Sequence, residues 1–120
     1  MEDRREHKRE SLAPFTEIFP DDGGEPIGGY PTDMSRGGLA LEADAPLDEG
    51  SRVTVGVHFE PVVADDVEVG DAPVEFVTAH VTRVAKMGEQ GKRHKISVEF
   101  DDLSESRHPL LWGVLSFIDR

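Results

Sequence analysis

The sequence predicts an all-β domain: a small antiparallel barrel with one helix at its C-terminus. Three observations predict it. Apolar residues alternate with a period of two through the middle of the chain. Clusters of Gly, Pro and Asp separate those runs. The closing stretch "DDLSESRHPLLWGVLSFIDR" changes to helical spacing. A chain of 120 residues suits a single domain and can bury roughly two-thirds of the surface its unfolded form exposes.

Taken in order, "PFTEIF", the segment from Ile27 to Tyr30, and "GLALE" are short strands. "RVTVGVHF" places Val53, Val55, Val57 and Phe59 on one face and Arg52, Thr54, Gly56 and His58 on the other. "PVEFVTAHVTRV" is a longer β-rich run with Val74, Phe76, Val77 and Val81 as core candidates. "KISVEF" repeats the alternation with Ile96, Val98 and Phe100. Turns are expected at "PDDGGEP", "DAPLDEGS" and "MGEQGK". Glu60 to Pro73 is acidic and irregular and reads as a long loop.

In the last segment Leu110, Leu111, Val114, Leu115 and Ile118 recur at helical spacing. Asp102 and Glu105 resemble a capping box, with Ser104 and Ser106 as alternative N-caps. Pro109 belongs in the first turn, which predicts a helix beginning near Ser106. Trp112 and the Leu110/Leu111 pair read as core packing. About six strands followed by an amphipathic helix make a barrel with the helix packed on it or closing one end.

Charge narrows the function. Twenty-five acidic against 13 basic residues give a net charge of −12. Phosphate neutralisation supplies most of the affinity of nucleic-acid-binding proteins, so this acidity argues against a polymer partner. Its main reading is solubility. No apolar run reaches the ~20 residues of a membrane helix, so no membrane insertion is expected. The charged start "MEDRREHKRE" is not a secretory signal. Cysteine is absent, which removes disulfides, thiolate zinc sites and cysteine nucleophiles. A cytoplasmic location is the default expectation.

Several motifs fail on spacing. "GEQGKR" lacks the G-x-x-x-x-G-K-[ST] pattern, and "DDVEVGD" puts Val67 and Val69 where calcium ligands belong. Ser35 has Asp33 where a nucleophile elbow needs glycine. His7, His58, His80, His94 and His108 are scattered and read as surface or strand residues. No catalytic or metal-binding constellation emerges, so an enzyme is the weakest reading.

Two motifs remain, "RREHKR" and "DMSRGG". Arg5 and Arg9 are four residues apart, a same-face spacing in a helix and in an extended chain. Their guanidinium forks match a phosphate, or the O6/N7 edge of guanine. Arg4 and Lys8 form a second register, but lysine lacks the planar fork, so Arg5/Arg9 is preferred. Asp33 offers acceptors suited to the N1–H and N2–H₂ donors of guanine, and Ser35 adds a hydroxyl. Gly37 and Gly38 allow close backbone approach and turn conformations that a side chain forbids.

With R-x-x-x-R at Arg5 and Arg9 and D-x-S-x-x-G at Asp33, Ser35 and Gly38, the chain resembles PilZ domains, bacterial receptors for cyclic di-GMP. The motif order, "LAL" after the glycine, "HVTRV", "KISVEF" and the terminal helix extend the likeness over nearly the whole chain. Ser97 departs, standing where the family often has glycine before "VEF", and the acidic loop around Asp65 is long.

The resemblance implies a six-stranded antiparallel split barrel (13–101), a C-terminal helix (102–120), and no catalysis. It implies that an N-terminal arginine segment (1–12) is ordered over cyclic di-GMP seated at the turn. Arg4, Arg5 and Arg9 would then face Asp33, Ser35, Gly37 and Gly38 across the ligand. No other cofactor and no metal is expected. The expected partner is an unidentified downstream protein that reads the new surface. The alternative is a PilZ-like protein-interaction module that binds no nucleotide.

Overall fold

The computed structural model describes residues 14–59, 62–64, 67–69, 73–88 and 93–118. Nine strands precede one helix among these residues: β1 (Phe15–Pro20), β2 (Ile27–Gly29), β3 (Asp33–Met34), β4 (Gly38–Ala43), β5 (Arg52–His58), β6 (Val62–Ala64), β7 (Val67–Val69), β8 (Val74–Met87), β9 (Arg93–Phe100) and α1 (Pro109–Ile118). Seven strands form one antiparallel sheet in the order β2-β1-β5-β8-β9-β4-β3. Its two edge strands, β2 and β3, are neighbours in the chain. The sheet must therefore curl until its edges approach each other, and a Cβ built on Gly29 of β2 would stand 3.6 Å from the Glu42 carbonyl oxygen of β4.

This is the expected barrel with its helix, and the strand count differs for a local reason. β2 and β3 are two short pieces of one closing segment, interrupted around Pro31, which has no N–H to give a ladder. β6 and β7 pair in register from Val62↔Val69 to Ala64↔Val67, inside the stretch that reads as an irregular loop. The β-branched valines on either side of Asp65-Asp66 account for this hairpin.

The core follows the period-two alternation. Ile18, Leu41, Val53, Val55, Val57 and Ile96 are fully buried, with Val77, Ala79 and Val81 from β8. A register shift between Val81 and Arg83 makes Thr82 a bulge residue and reverses the parity of β8. Val84 packs against the core for that reason. Phe76 is not core, contrary to expectation: it is 56% exposed. Adjacent strand residues face opposite sides, so Val77 takes the interior and Phe76 the exterior. There it pairs with Gly56 in register and approaches Phe19, with ring centroids 6.3 Å apart.

Leu111 and Leu115, one helical turn apart, are the residues by which α1 seals the barrel. Leu110 is exposed, because a residue next to Leu111 cannot share its face. The helix starts later than expected, with Pro109 itself at the first helical position. His108 is the N-cap, since its carbonyl accepts the Trp112 amide at 2.8 Å. The Asp102/Glu105 capping box does not form. Ser104 Oγ instead accepts the Arg107 amide at 3.2 Å in the turn before the helix.

A carboxylate from the sheet caps the helix. Glu75 accepts the Leu110 amide at 2.9 Å and the Leu111 amide at 2.8 Å. This satisfies two orphan donors and places negative charge at the positive end of the helix dipole. His108 is buried rather than on the surface, with both ring nitrogens engaged. Nδ1 accepts the Ser104 amide at 3.2 Å, which makes Nε2 the donor to the Phe76 carbonyl at 2.9 Å. The one geometry thus fixes both the tautomer and the approach of the helix. His94 also points inward, 8% exposed.

Asp102 ties the pre-helix loop to β8, accepting the Thr78 amide at 2.9 Å and lying 3.3 Å from the Arg107 guanidinium. Burial raises its pKa, but the Thr78 hydrogen bonds and the Arg107 guanidinium outweigh this. The carboxyl titrates below its ordinary value of 3.8.

Two predictions follow from these anchors. Glu75→Ala should cost about 1 kcal/mol in urea unfolding through loss of the cap; an unchanged midpoint would show that water replaces it. Asp102 has a depressed folded pKa, so its contribution is complete above the unfolded value of 3.8 and fades as pH falls through the lower folded value. The stability gap between wild type and Asp102→Asn should be constant above pH ~5 and narrow below 3.8.

Candidate functional site

A two-residue hairpin joins β3 to β4. The Ser35 amide donates to the Gly38 carbonyl at 2.9 Å, and the Gly38 amide returns the bond at 3.3 Å. The Gly37 amide also donates to Ser35 Oγ at 3.2 Å, which fixes the hydroxyl and leaves its hydrogen to donate outward.

Register sets the surroundings. Asp33 pairs with Ala40, Ala40 with Ser97, and Gly38 with Glu99. All of these lie on the outer face of the wall, opposite the buried Leu39, Leu41, Ile96 and Val98. Gly38, Ala40 and Ser97 are small and make a low floor. Asp33, Ser35, Thr82, Lys95 and Glu99 rise around it. The result is a groove of about 500 Å³, within the usual size for small-molecule sites. Thr82 belongs to it because of the bulge, and its hydroxyl donates to the Ser97 carbonyl at 3.2 Å.

Gly38 is required here by space rather than by turn conformation. A Cβ built on it would stand 1.9 Å from the Val98 carbonyl oxygen, and no side chain fits at that distance. Neither Gly37 nor Gly38 has the positive φ expected of a forced turn glycine; Gly23, Gly50 and Gly88 have it instead. A Cβ on Gly37 would meet only Ser35 Oγ, at 3.7 Å.

The four site residues expected from "DMSRGG", namely Asp33, Ser35, Gly37 and Gly38, line the groove together. Arg4, Arg5 and Arg9 lie outside the described residues. Two further side chains matter that motif spacing did not single out. Lys95 Nζ sits 2.8 Å from Asp33 Oδ2. Arg36, within the turn, reaches α1: its guanidinium donates to Ser116 Oγ at 2.7 Å and lies 4.6 Å from the Trp112 ring centroid. Trp112 is therefore half-buried beneath a cation rather than wholly in the core. The parity of "KISVEF" is the signal for Lys95, since Lys95, Ser97 and Glu99 share the outward face.

Fold and groove define a small barrel domain with a polar cleft on its outer wall and a helix tied to the rim of that cleft. The pattern of the PilZ domain matches residues 3–113, and the chain belongs to that family, generally one of cyclic di-GMP receptors. Among solved structures, the crystal structure of the PilZ domain of CeSA from a cellulose-synthesizing bacterium is similar. Its TM-score is 0.54 at 16% identity, covering 90% of this chain and 94% of that one. At that identity the likeness carries the fold. No curated protein matches the chain in sequence. Among the described residues no helix is long and apolar enough to cross a membrane.

Substitution at the two neighbouring glycines should separate their roles. Gly38→Ala should lower stability by about 2–3 kcal/mol, because β4 or β9 must move to admit the methyl group. Gly37→Ala should stay within about 0.5 kcal/mol. Thermal unfolding of both variants checks this, and equal losses would refute the close-approach account.

Proposed function

We propose that the protein is a cyclic di-GMP receptor that signals to a protein partner. One observation carries the reading: Asp33, Ser35 and Gly38, the residues of the family motif, face a single groove on the barrel wall. Asp33 supplies acceptors for the N1–H and N2–H₂ donors of guanine. Ser35 offers its remaining O–H to a phosphate or base, and Gly38 keeps the floor low enough for a flat purine to approach. Arg5 and Arg9, with Arg4 beside them, take phosphate oxygens and the O6/N7 edge as the 1–12 segment is ordered over the ligand. The surface made by that segment on the barrel is what the partner reads.

Electrostatics shape the expected behaviour. A net charge of −12 opposes the long-range approach of a doubly negative ligand, so affinity rests on local contacts. Losing one charge-assisted bidentate contact costs about 1.5–3 kcal/mol, roughly ten- to hundredfold in affinity.

Calorimetry with cyclic di-GMP, and GTP as control, tests the reading directly. Arg9→Ala should weaken binding at least tenfold, while Lys8→Ala changes it little. Equal losses would remove the Arg5/Arg9 assignment, and no heat with wild type would favour an interaction module without a nucleotide.

A further inference from the structure

Lys95 is the one cation among the described residues lining the groove, and the family motif does not name it. It projects from the outer face of β9, 40% exposed, and its ammonium is 2.8 Å from Asp33 Oδ2. Its cross-strand neighbour Glu42 is engaged by Arg93 at 3.5 Å, and the same guanidinium reaches Asp44 at 3.0 Å. With Glu42 held there, Lys95 lies along the groove toward Asp33. The Asp33 side chain is 69% exposed, so the pair is open to a ligand.

A carboxylate beside an ammonium presents acceptors next to donors. The pairing edge of guanine presents the complement, with O6 as an acceptor and N1–H and N2–H₂ as donors. Adenine reverses the order, with an N6 amino donor and an N1 acceptor. Resting on the nucleotide reading above, we propose that Asp33 and Lys95 act as one guanine-reading pair: the carboxylate accepts from N1–H and N2–H₂, and the ammonium donates to O6. Asp33 Oδ2 can accept from Lys95 and from guanine at once, because a carboxylate oxygen carries two acceptor sites. Adenine in the same seat would set its amino group against an ammonium, donor against donor, which builds rejection into the site. The pair is also locally neutral, so Asp33 can serve as an acceptor without repelling the ligand's phosphates.

Other roles for Lys95 make different forecasts. A phosphate contact would serve every cyclic dinucleotide alike, since the phosphates are identical. A purely structural ion pair would leave ligand selectivity unchanged.

The experiment measures cyclic di-GMP and cyclic di-AMP, in competition up to millimolar concentration, against wild type, Lys95→Met and Lys95→Arg. Lys95→Met should weaken cyclic di-GMP roughly tenfold or more, and cyclic di-AMP by less than about threefold, narrowing the selectivity ratio. Lys95→Arg keeps a cationic donor and should restore most of that ratio. Equal losses for both nucleotides would overturn the proposal in favour of a phosphate contact, and an undiminished ratio in Lys95→Met would overturn it outright. Failure of wild type to bind cyclic di-GMP would overturn the nucleotide reading and this proposal with it. Binding by wild type with unaltered selectivity in the variant removes the Lys95 assignment alone.

Discussion

The close passage of β4 against β9 at Gly38 is the constraint on which the groove depends. With the Val98 carbonyl where a methyl group would otherwise stand, the two backbones meet without a side chain between them. That contact sets the register from Gly38↔Glu99 onward, and register in a barrel wall decides which side every later residue faces. Leu39, Leu41, Ile96 and Val98 turn inward and fill the core; Gly38, Ala40, Lys95, Ser97 and Glu99 turn outward and build the site. Stability and binding surface come from the same alternation, and a one-residue slip would exchange them.

Closure adds a second constraint. Asp33 reaches the groove because β3 is the far edge of the sheet, held against β4 by the Asp33↔Ala40 and Met34↔Leu39 pairs. The chain leaves β2 on the opposite edge at Gly29, and only three residues lie between it and Asp33. An open sheet could not place both where they are. The curl that removes exposed sheet edges therefore also delivers the acceptor to the site.

Much of this was legible because strand parity is a local property. The valines of β5 alternate without exception, and the interior they imply is the one found. Reading failed where two apolar residues were adjacent, as at Phe76-Val77 and Leu110-Leu111, since alternation allows only one of each pair inside. It failed again at α1, where the cap comes from Glu75 on a distant strand and not from the serines and acids that precede the helix. Asp33, Ser35 and Gly38 could be read together because they fall in one short stretch. Lys95 could not be, because its partner Asp33 is brought near only by the β3–β4–β9 register. Gly38 reads in the sequence as room for a ligand to approach the turn, whereas the crowding found there is against the Val98 carbonyl of another strand, which no local motif can show.

Arg36 joins the groove to the helix in one step of the chain. It lies between Ser35 and Gly37, so a displacement of the turn large enough to move the Ser35 hydroxyl also moves the Arg36 backbone. Its guanidinium lies against Trp112 and donates to Ser116, residues four apart on one face of α1. The other end of α1 is held by Glu75 and His108 to β8, and its buried side by Leu111 and Leu115. Arg36 thus ties one face of the helix, from its first turn at Trp112 to Ser116 near its end, to the turn, while Glu75 and His108 fix its N-terminus to the sheet. Among the described residues α1 is the one helix, and it is the element that Arg36 joins directly to the β3–β4 turn.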